Sequence, residues 1–140
     1  LLYLINEDTI AYNNIISARR LPKKTKSQTL LRNKEINKSI IYAIEVPLKV
    51  LETCLKVHEV TYKVLKYANL NCISDIGVAN QSIYSASNGA SYNILINLED
   101  LNPNLEKKYK EKIDYYMKQI NSFYLKINMV LNKELKIDLW

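Results

Sequence analysis

The stretch NCISDIGVANQSIYSASNGASYNILIN, residues 71–97, is too regular for a loop and too rich in small residues for an ordinary surface helix. At helical spacing, Asp75, Ala79, Ser82, Ala86, Ala90, Asn93 and Asn97 fall on one stripe, three or four residues apart. The stripe has a carboxylate at one end, two amides at the other and almost no bulk between. Ile76, Ile83 and Ile94 fall on other faces and are expected to enter a core. Ser74 is placed to cap the helix N-terminus, and Asp75 to meet the positive end of its dipole. Two readings are open for such a stripe: a tightly packed buried helix whose polar groups are satisfied, or a groove that lets a flat ligand come close.

Composition narrows the setting. A chain of 140 residues is one domain, large enough to bury a core. Hydrophobic content of 48% and charged content of 24% fit a globular protein rather than a disordered one. Two glycines and three prolines leave little turn chemistry, so the expectation is an all-α protein, an antiparallel bundle of long helices over residues 1–140, with the 75–97 helix central. The net charge of +6 suits an anionic partner. No apolar run is long enough to span a membrane, and no signal peptide is visible. Cys54 and Cys72 lack metal-ligand spacing and read as reduced, mostly buried thiols, which favours an intracellular compartment. The chain opens at Leu1 without methionine and already inside a pattern, which reads as an N-terminally incomplete sequence.

Before the central stretch lie two helical patterns. In residues 1–20, Leu1, Leu4, Ile5, Asp8, Tyr12 and Ile15 share a face, so Asp8 interrupts an apolar stripe. A carboxylate there must either find a partner, such as Arg19 or a lysine, or face a cavity. RLPKKTKS, residues 20–27, is a basic turn broken by Pro22. From about Gln28 to Tyr67, Ile40, Ile44, Pro47, Leu51, Leu55, His58, Tyr62 and Leu65 keep helical spacing, with a kink expected at Pro47 and Glu45 beside it reading as a surface residue. His58 stands alone and reads as a core histidine rather than a metal ligand.

The last pattern starts at Asn102-Pro103, a cap followed by proline at the first helical position. Leu105, Tyr109, Ile113, Tyr116, Ile120, Phe123, Ile127 and Val130 then form a clean stripe, and Lys107, Lys108, Lys110 and Lys112 a solvated face. Lysines among tyrosines bring no recognised nucleic-acid motif with them. Phosphate-loop, paired-cysteine, zinc-protease and serine-elbow patterns are all missing, so any catalysis must rest on carboxylates, amides and lysine.

Three stretches resemble the cyclodeaminase family, which includes the cyclodeaminase domain of formiminotransferase-cyclodeaminase and small methenyltetrahydrofolate cyclohydrolases. SD-I-GVA followed by GA-SYN-ILIN-LEDL resembles its signature. EDTIAYNNIISARRLPK, residues 7–23, resembles its aspartate helix with the closing Leu-Pro-Lys turn, and IEVPLKVLETC, residues 44–54, its helix with a proline inside. The likeness runs from Leu1 to about Ile120. It departs at the start, where the family has a glycine-rich loop and a helix, whereas the glycines here are Gly77 and Gly89.

The resemblance implies closure of 5-formiminotetrahydrofolate to 5,10-methenyltetrahydrofolate with release of ammonia, or hydrolysis of methenyltetrahydrofolate by water. Both reactions pass through a tetrahedral carbon next to nitrogen, and neither needs a cofactor beyond the folate substrate itself. It implies Asp75 and Asp8 as the catalytic carboxylates. Lys23, Ser74, Asn93 and Asn97 are then substrate-binding, with Lys23 meeting the folate's carboxylates. The alternative is a non-catalytic helical subunit derived from this fold. A homodimer or larger assembly is expected, because the apolar stripes are wide and eleven tyrosines suit an interface. The expected compartment is the cytoplasm or the mitochondrial matrix.

Overall fold

A computed structural model describes residues 2–137. Four helices follow one another: α1 (Leu2–Arg19), α2 (Lys26–Leu65), α3 (Ile73–Leu98) and α4 (Pro103–Leu135), with a 3₁₀ turn at Leu70–Cys72 before α3. There is no strand among the described residues, so the all-α expectation holds.

The ends of these helices follow from their sequences. Thr25 and Gln28 form a capping box: Thr25 Oγ1 accepts from the Gln28 amide at 3.2 Å and Gln28 Oε1 from the Thr25 amide at 3.2 Å. That box starts α2 two residues before Gln28. Asn102 caps α4 by accepting from the Leu105 amide at 3.0 Å, with Pro103 at the first helical position. α4 ends where Lys136 turns left-handed, φ 54°. The start of α3 is a correction: Cys72 holds the cap position without a side-chain bond, and Ser74 lies inside the helix. The 3₁₀ turn feeds directly into α3, so no residue is left extended to serve as a conventional cap.

Pro47 lies inside α2 without ending it. With 40 residues, α2 is about 60 Å long. It therefore reaches all three partners, and α2, not α3, is the hub of the bundle. Directions follow from the side-chain bonds. Glu45 pairs with Tyr109 and Glu52 with Tyr116, seven residues on in both helices, so α2 and α4 run the same way. Glu7 meets Tyr42 while the Arg19 carbonyl meets Arg32, so α1 runs against α2. Asn80 meets Asn128 and Tyr84 stacks on Tyr124 at 4.0 Å, so α3 runs against α4.

The main core joins all four helices around Ile15, Ile44, Leu51, Ile94 and Ile120. A smaller cluster of Leu65, Ile73, Ile127 and Leu131 closes the far end. Ile94 is fully buried, while Ile76 and Ile83 pack against these clusters. Along α4, Tyr109, Ile113, Ile120 and Ile127 are buried as the stripe requires. His58 is completely buried, as a core residue. Cys54 is buried but Cys72 is exposed, because it sits in the 3₁₀ turn outside the packed faces. Among the described residues no helix is long and apolar enough to cross a membrane.

Candidate functional site

The small-residue stripe of α3 is not buried. Ala79, Ser82, Ala86, Gly89 and Asn93 are exposed, and the packed face is carried by Ile73, Asn80, Ser87, Ser91, Ile94 and Leu98 instead. Ala90 sits at the boundary and is the stripe's buried member. The C-terminal half of the stripe, Ala86, Ala90, Asn93 and Asn97, therefore forms one wall of open clefts between α1, α2 and α3.

Asp8 reaches those clefts because of its neighbour. The Tyr42 hydroxyl donates to Glu7, fixing Glu7 against α2. The next residue along a helix is turned by about 100°, which directs Asp8 toward α3. There Asp8 and Asn93 line a cleft of about 470 Å³ with Leu4, Ile5, Pro47, Ala86 and Gly89. A Cβ added at Gly89 would meet no atom within 4 Å, so this glycine opens onto free space. A second recess of about 140 Å³ adjoins, lined by Asp8, Tyr12, Ala43, Asn93 and Asn97. Asn97 Nδ2 donates to the Asn93 carbonyl at 2.8 Å.

Among the described residues no side chain is hydrogen-bonded to, or ion-paired with, Asp8. Arg19 pairs with Asp100 at 2.8 Å, an exposed bridge linking the end of α1 to the turn after α3. Of the two fates open to Asp8, a partner or a cavity, the cavity is what the fold provides.

The other expected site residues lie elsewhere. Asp75 stands eighteen residues before Asn93 on α3, about 27 Å along the axis. It lines a separate cleft of about 410 Å³ with Val60, Thr61, Val64 and Cys72. Ser74 is exposed beside it. Lys23 is exposed in the α1–α2 turn, where its carbonyl accepts from the Thr29 hydroxyl at 3.3 Å. One chain thus brings together Asp8, Asn93 and Asn97 and keeps Asp75, Ser74 and Lys23 apart from them. Eighteen residues are five full helical turns, so a shared stripe gives a shared face without a shared site.

The sequence pattern predicts Glu45 on the surface, and the structure differs. Glu45 is half-buried and accepts from the Tyr109 hydroxyl at 2.6 Å, and it lines a further cleft of about 740 Å³ with Asn14, Lys38 and Tyr42. Burial, with the Glu45 carboxylate beside it, holds the Tyr109 phenol well above its ordinary range. Glu52 and Tyr116 repeat the pairing at 2.9 Å, and the Tyr116 phenol is raised in the same way. The common separation of 64 residues was the available signal, but it means nothing until α2 and α4 are known to lie parallel. Among the described residues no cluster of histidine, cysteine and carboxylates is arranged to hold a metal ion.

Together, the four-helix fold and a carboxylate facing two amides across an open cleft define an α-helical protein with a small acid–amide site. The Formiminotransferase-cyclodeaminase family profile matches residues 1–119, and the chain belongs to that family. It is 31% identical over 109 residues to a formimidoyltransferase-cyclodeaminase of Rattus norvegicus, covering 78% of this chain and 20% of that relative. It is 32% identical over 110 residues to a methenyltetrahydrofolate cyclohydrolase of Methylorubrum extorquens, covering 77% of this chain and 53% of the other. The crystal structure of formiminotetrahydrofolate cyclodeaminase from Thermotoga maritima superposes with a TM-score of 0.80 at 20% identity, over 94% of this chain and 62% of that one. The chain thus spans between a fifth and about three fifths of the lengths of these relatives.

Proposed function

We propose that this chain acts in folate one-carbon chemistry, closing 5-formiminotetrahydrofolate to 5,10-methenyltetrahydrofolate with loss of ammonia, or hydrolysing methenyltetrahydrofolate. The observation that carries the reading is Asp8: an unpaired carboxylate at the meeting point of an apolar cleft and an amide-lined recess. The names of the relatives support the same substrate class. The apolar cleft offers a flat ring system the surfaces of Pro47, Ala86 and Gly89. Asp8 then takes the proton released as a nucleophile adds to the one-carbon centre and returns it to the departing nitrogen.

Asp75 and Ser74 can share this site only if a second copy brings the start of its α3 to the cleft, so their roles depend on a homodimer or larger assembly. Lys23 lies beyond the end of α1, which is itself some 16 Å along the axis from Asp8, and is the cation assigned to a folate's carboxylates.

The test is turnover by the purified chain, following ammonia release from 5-formiminotetrahydrofolate and loss of methenyltetrahydrofolate absorbance. Asp8→Asn is expected to lower the active reaction by about a hundredfold or more, the range for a lost general base, with helical content intact. Full turnover in that variant would end the assignment of Asp8.

The second reading, a non-catalytic helical subunit, is favoured by the cleft's rim, where Ile5 is 64% and Ile96 75% exposed. A chain that binds no tetrahydrofolate yet forms a stable assembly would establish it.

A further inference from the structure

Asp8 and Asn93 each line two spaces at once, and the two differ in size and chemistry. The larger, about 470 Å³, is walled chiefly by aliphatic side chains and the open face of Gly89. The smaller, about 140 Å³, adds the polar groups of Tyr12 and Asn97. A water molecule takes about 30 Å³ of the liquid, so the smaller space suits a few solvent-sized groups.

Asn97 is oriented within it. Its Nδ2 donates to the Asn93 carbonyl at 2.8 Å, and a carbonyl can only accept, so the amide cannot be turned round. Oδ1 is left as the free end, an acceptor with no partner among the described residues. It calls for an N–H or O–H from whatever enters the recess.

Resting on the cyclodeaminase or cyclohydrolase reading, we propose that the recess holds the small species exchanged at the one-carbon centre, ammonia or water, and that Asn97 Oδ1 orients it. In ring closure the formimino group reacts in its protonated form: N10 bonds to its carbon, the carbon–nitrogen double bond becomes single, and the N10 proton passes to the Asp8 carboxylate. The amino nitrogen takes that proton, its bond to carbon breaks, and it leaves as ammonia with an N–H held by Asn97. In hydrolysis, a water held by Asn97 bonds to the same carbon and gives one proton to Asp8. The carbon–N5 bond then breaks, N5 takes that proton, and the proton left on the one-carbon hydroxyl passes to solvent as the formyl carbonyl forms. No oxidant, reductant or further reactant enters either sequence.

The experiment measures three quantities on the full chain and on Asn97→Leu, Asn97→Asp and Asn97→Ser: ammonia release from 5-formiminotetrahydrofolate, hydrolysis of methenyltetrahydrofolate, and equilibrium binding of tetrahydrofolate. Asn97→Leu is expected to lose turnover by about tenfold or more, as when one transition-state hydrogen bond is removed, with the tetrahydrofolate Kd within about twofold of the parent. Asn97→Asp keeps an acceptor oxygen and should retain more turnover than the leucine variant. Asn97→Ser removes the amide without adding bulk and carries the leucine expectation should leucine disturb α3. Full turnover without the amide overturns the proposal. So does a Kd that rises as far as turnover falls, which would put Asn97 against the flat ligand. A parent chain that neither binds tetrahydrofolate nor turns over either substrate removes the underlying reading and this proposal with it, whereas an active parent with indifferent Asn97 variants removes this proposal alone.

Discussion

Tyr109 on α4 donates its hydroxyl proton to Glu45 on α2 at 2.6 Å, and Tyr116 repeats the bond to Glu52 one heptad further on at 2.9 Å. Both carboxylates are half-buried, and each phenol comes from a helix running parallel to the carboxylate's own. These bonds set the register of α4 along α2. A hydrophobic stripe alone would leave that register free to slip by a turn, since one isoleucine packs much like another.

Tyr109→Phe keeps the ring and deletes the donor. Hydrogen bonds to charged groups are worth about 1.5–3 kcal/mol, and the half-exposed Glu45 recovers part of this from water, so a loss of about 1–2 kcal/mol is expected in urea denaturation. Tyr116→Phe should cost less, because Tyr116 is the more exposed of the two. Equal stability of the Tyr109 variant and the parent would show that packing alone fixes α4.

Much of this fold is legible in the sequence. Asn102-Pro103 marks the start of α4, and the stripe from Leu105 to Val130 marks its buried side, because caps and amphipathic periods are local signals. The hub was not legible. The small-residue stripe drew attention to α3, but the length of α2 lets it touch every other helix. The site was half legible. Asp8 declares itself by interrupting an apolar face, and Asn93 and Asn97 by ending the stripe. Asp75 belongs to the same stripe five turns away, and periodicity carries no information about axial distance. Glu45 was hidden because its partner is 64 residues off.

Gly89 lies in the interior of α3 and faces the larger cleft with nothing within 4 Å of an added Cβ. Gly89→Ala should therefore stabilise the protein by about 0.5–1 kcal/mol through helix propensity alone. Gly89→Trp should fold equally well while filling the cleft, and so abolish tetrahydrofolate binding. Thermal denaturation and a binding titration check the two halves. A tryptophan variant that binds like the parent would move the ligand out of this cleft.

If Asp8 of one copy works with Asp75 of another, the two aspartates can be inactivated separately and then recombined. Homogeneous Asp8→Asn and Asp75→Asn preparations should each be inactive, and a mixture allowed to exchange subunits should regain activity at sites that pair two intact aspartates. Should Asp75→Asn alone keep full turnover, the site is confined to one chain and Asp75 plays no part in it.

His58 supplies the pH dependence. Its ring is completely buried among α2, α3 and α4, and neither ring nitrogen has a formed hydrogen bond. Burial pushes the imidazole from 6.5 down to about 4; the Asn80 side chain, which forms no bond to the ring, opposes the shift in part. The nearby polar groups are neutral: Asn80 donates to Asn128 Oδ1 at 2.9 Å and to the Tyr124 carbonyl at 3.3 Å. The folded state therefore resists protonation that the unfolded chain accepts. Between pH 6.5 and about 4 the unfolded state binds more protons, so stability falls as pH falls through that window and is unaffected above it. A shift of this size corresponds to about 3 kcal/mol once pH is below the folded value. His58→Met replaces the ring with an apolar side chain of similar reach, and its denaturation midpoints should change less between pH 7 and 4.5 than those of the parent. Parallel pH curves for the two proteins would mean that carboxylates, and not His58, govern the acid limb.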